Sequence, residues 1–301
     1  MSNTSSPKSP LRGGSRPGSK GGSRPGSKQD IRPRVQIIDP IQNRDFTSLN
    51  HVLDMPLVEK LAKEYENLVE DFPLQMGQAA SKRDRETAED PIYKESNFVY
   101  SEVSFETVAI AIQKIKKIYG KPMTGTSGFH GVLQHRGGIF YDLGCGTGKA
   151  VIAASLIHDF DTCYGIEWLG SLALIAGDLE SSYNSRKKVV SKTIADREYD
   201  THCTMVFGNM LDFGNSKKWD NADVVFCNTC TFTNEYMNKL AELAGTMKKG
   251  SFFITVSKKI PSDVFRIVDY QMYPISFGEA TVYIHQKLYH NNESDSSEDE
   301  G

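Results

Sequence analysis

The chain has 301 residues, of which 39% are hydrophobic and 24% are charged, and its formal net charge at pH 7 is -3. These proportions fit one globular domain of about 200–250 residues with tails, and they exclude collagen, a coiled coil and disorder along the whole chain. No apolar run reaches about 18 residues and no signal-peptide core begins the sequence, so we expect a cytosolic or nuclear protein that does not span a membrane. The 5 cysteines, an odd number, favour free thiols in a reducing compartment over a disulfide framework.

The charges are segregated at the two ends of the sequence. Residues 1–34 carry 8 basic residues against Asp30, and they contain the octamer GGSRPGSK twice in tandem, at 13–20 and 21–28. This segment has little to bury, so it is predicted to be a disordered basic tail whose cations suit DNA, although a solubilising linker would look the same. Residues 291–301 carry 5 acidic and no basic residues, which predicts a disordered acidic tail.

Two amphipathic helices are predicted before the first strand. Apolar residues recur at helical spacing over residues 56–72, and again from Phe105 to Tyr119 behind Ser104, a candidate N-cap. Residues 73–98 between them are polar and rich in charge, so we interpret them as a loop able to close over a site. Residues 35–138 thus form a helical N-terminal part with a covering loop.

From Gly138 onward, short apolar runs alternate with helical stretches. Buried strands are predicted at 139–142, 163–166, 205–207, 224–227 and 252–256, and helices near 149–158, 169–183 and 234–247. Such alternation is typical of βαβ units, so the fold class is α/β with a Rossmann-like parallel sheet. A pair of antiparallel strands at 266–272 and 281–288 ends this core, which we place at 139–290.

A glycine-rich turn, DLGCGTG at 142–148, follows the first predicted strand and opens a helix. A phosphate-binding P-loop would need Gly at 143 and Ser or Thr at 150, where the chain has Leu143 and Ala150. A dinucleotide fingerprint would have its third glycine at 149, where the chain has Lys149. The turn therefore does not match a P-loop, and the sequence gives only weak support to a nicotinamide dinucleotide site.

The same turn fits S-adenosylmethionine (SAM), which has no phosphate and presents an ammonium group that Asp142 could hold. A purely structural glycine turn is the alternative. Glu167 ends the second strand, where a carboxylate can accept both ribose hydroxyls. Asn209 and Met210 follow the third strand, where an amide could face the adenine amine and a thioether could pack on the ring.

Four segments resemble the disruptor of telomeric silencing family, the non-SET histone lysine methyltransferases. They are YSEVSF at 100–105, the turn at 142–148, NTCTF at 228–232, and Ser257 with Lys258, in the order and spacing of that family. The resemblance covers roughly residues 90–290. It implies a seven-strand SAM-dependent methyltransferase sheet with a helical N-terminal part, and a nuclear, monomeric enzyme that methylates a lysine on the globular core of histone H3 in nucleosomes.

The resemblance also implies roles for individual residues. Tyr100 and Glu102 would lie in the loop that covers SAM, and Glu167 would lie on the ribose. Asp142 and Gly144 would lie at the methionine end, and Gly146 and Lys149 are further expected cofactor-binding residues. Asn228 would lie near the transferring methyl group, as both a cofactor contact and a catalytic residue. Asn209 departs from the family pattern, which usually has Asp there.

The acceptor side carries larger departures. Thr229, Cys230 and Thr231 replace the family's usual Asn, Phe and Ala, although Phe232 still matches. Phe277 and Tyr283 resemble aromatic members of the family's lysine channel when a small gap is allowed, and Tyr283 is the second predicted catalytic residue.

Several alternatives stay open at this point. A related methyltransferase acting on another protein, a nucleic acid or a small molecule would share the SAM turn. A noncatalytic nucleosome-binding module is conceivable because of the changes at 229–231. A zinc site is not expected, since the Cys227 and Cys230 spacing has no second Cys or His pair beside it.

Overall fold

The computed structural model describes residues 51–89, 96–122, 131–193, 201–214 and 217–288. The predicted basic tail, 1–34, and the predicted acidic tail, 291–301, lie outside these ranges and stay predictions. Within the described ranges, no helix combines the length and the apolar character needed to cross a bilayer.

Seven strands form one sheet in the order β3-β2-β1-β4-β5-β7-β6. Their bounds are β1 Ile139–Leu143, β2 Thr162–Glu167, β3 His202–Phe207, β4 Val224–Cys227, β5 Phe252–Val256, β6 Phe265–Ile275 and β7 Gly278–Lys287. Strands β1 to β5 are parallel, and β7 lies antiparallel between β5 and β6. The predicted seven-strand Rossmann-like α/β fold is confirmed.

The central strands are buried along their length because helices cover both faces of the sheet. Every residue of β4 and β5 is buried, which explains why their sequences, VVFC and FFITV, are continuous apolar runs without alternation. The strand order reverses between β1 and β4, so the carboxyl ends of these two strands form the crevice in which open α/β sheets bind ligands.

Within the described ranges, six α-helices accompany the sheet: α1 Met55–Val69, α2 Leu74–Thr87, α3 Phe105–Lys114, α4 Lys149–Ile157, α5 Gly170–Thr193 and α6 Asn234–Ala244. The α1 helix begins behind Asp54, whose side chain accepts a hydrogen bond from the Leu57 amide. Ser104 caps α3 by accepting a hydrogen bond from the Thr107 amide, as its position predicts. A π-helical turn, Ile115–Tyr119, extends α3 to the predicted end of its apolar stripe.

The prediction of a loop over 73–98 is wrong for most of that range, because α2 occupies Leu74–Thr87 and a short 3-10 helix occupies Ser96–Phe98. The buried face of α2 consists of Gly77, Ala80 and Ser81. These residues are buried for their small size rather than their hydrophobicity, since a Cβ atom at Gly77 would overlap the Tyr100 ring. A helix with such a face shows no apolar periodicity in its sequence.

A buried charged cluster fastens the helical part to the outer strand β6. The Lys114 ammonium group lies 2.8 Å from Asp269 Oδ2 and donates to Gln271 Oε1 at 3.1 Å. The Tyr119 hydroxyl donates to the same Asp269 oxygen at 3.1 Å. Asp269 and Lys114 are each 1% exposed, so the two buried charges compensate each other through Asp269 Oδ2, whereas Asp269 Oδ1 has no hydrogen-bond partner among the described residues.

Candidate cofactor and acceptor site

The glycine turn after β1 has a backbone conformation that only glycine adopts readily. Gly144, Gly146 and Gly148 have φ angles of 73°, 57° and 85°, all in the left-handed region. A Cβ atom at Gly144 would meet nothing within 4 Å, whereas one at Gly146 would overlap the Tyr100 ring. The turn therefore leaves open space beside Gly144 and packs closely against Tyr100.

Two buried carboxylates flank this turn. Asp142 is 3% exposed and Glu167 is 6% exposed. Glu167 accepts hydrogen bonds from the Gly146 and Leu169 amides, both at 2.8 Å. Within the described part of the chain, no hydrogen bond reaches the Asp142 carboxylate.

The environment of both carboxylates disfavours their charged forms. Burial, and then repulsion from Glu167, raises the pKa of Asp142 well above its usual range. Burial also raises the pKa of Glu167, although backbone donors at Leu169, Gly146 and Trp168 oppose the shift. A bound cation would relieve the cost at Asp142, so these residues fit the ammonium group of SAM.

Two small cavities adjoin the turn at the carboxyl edge of the sheet. The first, of about 60 Å³, includes Glu167, Leu169, Leu172, Gly208 and Met210 in its lining. The second, of about 40 Å³, includes Asp142, Glu102, Val103, Cys145 and Lys149. Both are lined by Tyr100, Ser101, Gly144 and Asn228. The cavities therefore meet at the Tyr100 segment and the ends of β1 and β4.

We call residues 96–103, which lie over these cavities, the covering segment. The Tyr100 hydroxyl donates to Glu102 Oε1 at 2.6 Å and lies 2.8 Å from Thr147 Oγ1. Burial, followed by the Glu102 charge, raises the pKa of Tyr100. Lys149 Nζ lies 2.9 Å from each Glu102 oxygen. The structure thus brings together three residues that were predicted to bind the cofactor, Tyr100, Glu102 and Lys149. The Lys149 ammonium group, however, pairs with Glu102.

Asn228, directly after β4, joins the end of that strand to the covering segment. Its Nδ2 atom donates to Ser101 O at 3.2 Å and to Ser101 Oγ at 2.9 Å. Its Oδ1 atom accepts a long hydrogen bond, 3.4 Å, from the Cys230 amide. The amide nitrogen of Asn228 is therefore committed to the protein, while its oxygen retains capacity to accept.

The structure accommodates each of the three departures after Asn228. The Thr229 hydroxyl donates to Val256 O, Cys230 Sγ lies 3.0 Å from Ser257 Oγ, and Thr231 lines the first cavity. Phe232, which matches the family, is buried with its ring centroid 4.8 Å from that of Tyr236.

Three predicted residues lie outside both cavities. Asn209 Oδ1 accepts a hydrogen bond from the Leu211 amide at 2.9 Å, while its neighbour Met210 lines the first cavity. Tyr283 pairs with Thr255 in the sheet, and Lys259 Nζ lies 5.6 Å from its ring centroid. Phe277 is 61% exposed. The roles suggested for Asn209, Phe277 and Tyr283 stay predictions.

Other lining residues were not predicted from the sequence: Asn97, Phe98, Ser101, Leu169, Leu172 and Tyr236. Leu169 comes two residues after Glu167, so its position just after the end of a parallel strand could have predicted that it lines the site. Asn97 and Phe98 lie at the end of the segment 73–98 that was expected to close over a site, although nothing in the sequence singled out these two residues.

Comparison with known proteins assigns the chain to a family. The family model described as histone methylation protein DOT1 matches residues 91–284, which is well over half of the chain. The chain belongs to this family. The resemblance noted in the sequence is thereby confirmed, the protein is a SAM-dependent methyltransferase, and S-adenosylmethionine is its cofactor.

Solved structures show a more distant similarity. The tRNA methyltransferase TrmK from B. subtilis is 15% identical with a TM-score of 0.39, over 61% of this chain and 64% of that one. The rRNA methyltransferase aviRa from Streptomyces viridochromogenes is 10% identical with a TM-score of 0.45, over 62% and 86%. TrmK from M. capricolum, in complex with S-adenosylhomocysteine, is 11% identical with a TM-score of 0.38, over 64% and 71%. No curated protein matched.

Proposed function

We propose that this DOT1-family protein transfers a methyl group from SAM to a lysine on the globular core of histone H3 in nucleosomes, and that it acts in the nucleus. The match to the histone methylation family over residues 91–284 carries this proposal. The same range contains the glycine turn, the covering segment and the Asn228 motif, which the structure brings to one edge of the sheet.

The cofactor roles follow from burial and charge. SAM, when bound, supplies a methyl group on a positively charged sulfonium. Asp142 would hold the ammonium group, because no cationic side chain among the described residues pairs with its buried carboxylate, and Gly144 leaves space for the ligand beside the turn. Glu167 would accept the ribose hydroxyls while the Gly146 and Leu169 amides orient its carboxylate.

The acceptor lysine must reach the site as an uncharged amine. Desolvation lowers the pKa of a lysine, so exclusion of water by the covering segment would favour loss of the proton. Asn228 would orient the amine through Oδ1, because Ser101 fixes the amide nitrogen of the same side chain. Asp142 and Glu167 would hold the cofactor without contacting the acceptor.

Transfer of labelled methyl from SAM to intact nucleosomes tests the substrate. We expect nucleosomes to be much better substrates than free H3, an H3 peptide, naked DNA or tRNA, because the acceptor surface is folded. Preferential labelling of short peptides, RNA or small molecules would favour another methyltransferase activity. SAM binding without labelling of any substrate would favour a noncatalytic nucleosome-binding module.

The role of Asn228 is tested separately from cofactor binding. Asn228→Ala should reduce methyl transfer far more than it reduces SAM affinity, if the side chain positions the acceptor. Asn238→Ala, on the exposed face of α6, is the matched control and should change neither quantity. Equal losses in transfer and affinity would make Asn228 a cofactor residue instead.

We also propose that the basic segment 1–34 binds nucleosomal DNA through charge. Its cations offer phosphate contacts, but the repeated octamer offers no scaffold for reading bases. Replacing its 8 basic residues by Gln should flatten the slope of log affinity against log salt by about 0.9 for each lost phosphate contact. An unchanged slope would show that the segment does not contact DNA.

A further inference from the structure

The covering segment narrows the cofactor cavities. Ligand pockets usually measure about 300–1,000 Å³, whereas the two cavities here measure about 60 and 40 Å³. The Tyr100 ring packs between Gly77 and Gly146 so closely that a Cβ atom at either glycine would overlap it. SAM therefore needs more space than the two cavities offer, and movement of Tyr100 and its neighbours would supply it.

Most attachments of the covering segment are neutral hydrogen bonds. They join Asn97 to the Thr233 amide, Ser101 to Asn228, and Glu102 to Ser276 through its backbone. Among the described residues, the charged attachment is the ion pair of Glu102 with Lys149, in which Nζ lies 2.9 Å from both carboxylate oxygens. The two side chains are only 18% and 12% exposed, so water screens this pair weakly.

Lys149 occupies a position that the helix dipole disfavours. It is the first residue of α4, directly after the glycine turn, where the unpaired amides carry partial positive charge. A lysine there gains no support from its own helix. Its compensation comes from Glu102, which also accepts the hydrogen bond of the Tyr100 hydroxyl.

We propose that the Glu102–Lys149 pair is a latch that holds the covering segment closed over the cofactor. Lys149 is then a positioning residue, which acts through Glu102 and Tyr100 rather than by contact with SAM. This proposal rests on SAM binding, which is part of the proposed function, but it does not depend on the acceptor. It can therefore be tested separately from histone methylation.

Binding kinetics of the full chain with SAM test the latch. The fluorescence of Trp168, which lines the first cavity, provides a signal. If the latch limits opening, Lys149→Met should raise both the association and the dissociation rate, each by about tenfold for a loss of about 1.4 kcal/mol. The dissociation constant should change much less than either rate.

Two variants test the same pair without relying on Lys149→Met. Glu102→Gln removes the charge yet can still accept from Tyr100, so it should raise both rates in the same way. The double variant Glu102→Lys, Lys149→Glu should return both rates toward those of the native protein. Lys239→Met, which breaks an exposed pair with Glu235 on α6, is the matched control and should leave them unchanged.

The association and dissociation rates also distinguish a latch from direct binding of SAM by Lys149. A faster dissociation with an unchanged association rate would mean that Lys149 contacts SAM itself, which would overturn the latch. Unchanged rates in both single variants, or a charge-swapped pair that behaves like the single variants, would overturn it as well.

Discussion

Two buried aspartates of this protein differ in how their charges are compensated. Asp269 on β6 is 1% exposed, and it receives both the Lys114 ammonium group and the Tyr119 hydroxyl. Asp142 at the end of β1 is 3% exposed, yet no hydrogen bond from the described residues reaches its carboxylate, and the neighbouring Glu167 raises its pKa further. The first carboxylate is compensated by the chain, so it serves the fold. The second lacks a cation, and a ligand can supply one.

The largest expected effect concerns the open space beside Asp142. Gly144→Arg should abolish detectable SAM binding by calorimetry, because the new side chain would fill the space that the turn leaves for the ligand. Gly278→Arg is the matched control, since this glycine also has a positive φ and open surroundings but is the first residue of β7, just after the β6–β7 turn. Unchanged SAM affinity in Gly144→Arg would contradict the cofactor site.

The second largest effect should appear at the other aspartate. Lys114→Met should lower the free energy of unfolding by about 3–5 kcal/mol, because Asp269 would stay buried without its cation. Urea titrations measure this loss, and adding Asp269→Asn should recover much of it. Lys248→Met, which breaks a more exposed pair with Asp223, should cost at most about 1 kcal/mol. Equal losses in the two lysine variants would show that burial of the Lys114 pair does not matter.

Glu167→Ala should weaken SAM binding by about 1–3 kcal/mol through lost charge-assisted hydrogen bonds. The exposed Glu242→Ala on α6 serves as the control and should leave the affinity unchanged. If calorimetry finds the affinity of Glu167→Ala almost unaltered, another acidic residue holds the ribose.

The smallest effect is a pH dependence of SAM affinity. An ammonium group favours ionised Asp142, whereas burial and Glu167 raise the pKa of this carboxyl in the free protein. Affinity should therefore fall as the pH decreases through that raised pKa, by up to tenfold per pH unit. Titrations at several pH values should show a shallower dependence in Asp142→Asn. An identical dependence in both proteins would show that Asp142 does not couple to the ligand.

The sequence predicted the parts of this molecule in which polarity follows structure. The buried parallel strands are apolar runs, and Ser104 caps α3 as its position indicates. The α2 helix escaped prediction because it packs with small residues, so Gly77 and Ala80 carry no periodic signal.

Within the site, strand ends were predictable and side-chain directions were not. Asp142 is the next-to-last residue of β1 and Glu167 is the last residue of β2, so both lie beside the glycine turn at the same edge of the parallel sheet. The Lys149 side chain pairs with Glu102, which is distant in sequence, and Asn209 Oδ1 accepts a hydrogen bond from the Leu211 amide. The Lys149–Glu102 pairing depends on a three-dimensional contact that no spacing in the sequence encodes.

The position of β7 between β5 and β6 has a consequence for synthesis of the protein. Strand β5 gains its outer neighbour only when residues 278–287 have emerged from the ribosome, because β6 pairs with β7 and not with β5. Until then the nascent chain carries an apolar strand with an unpaired edge, a feature that promotes association between chains. The β6–β7 hairpin is local in sequence, so it can form first and then close the sheet in one step.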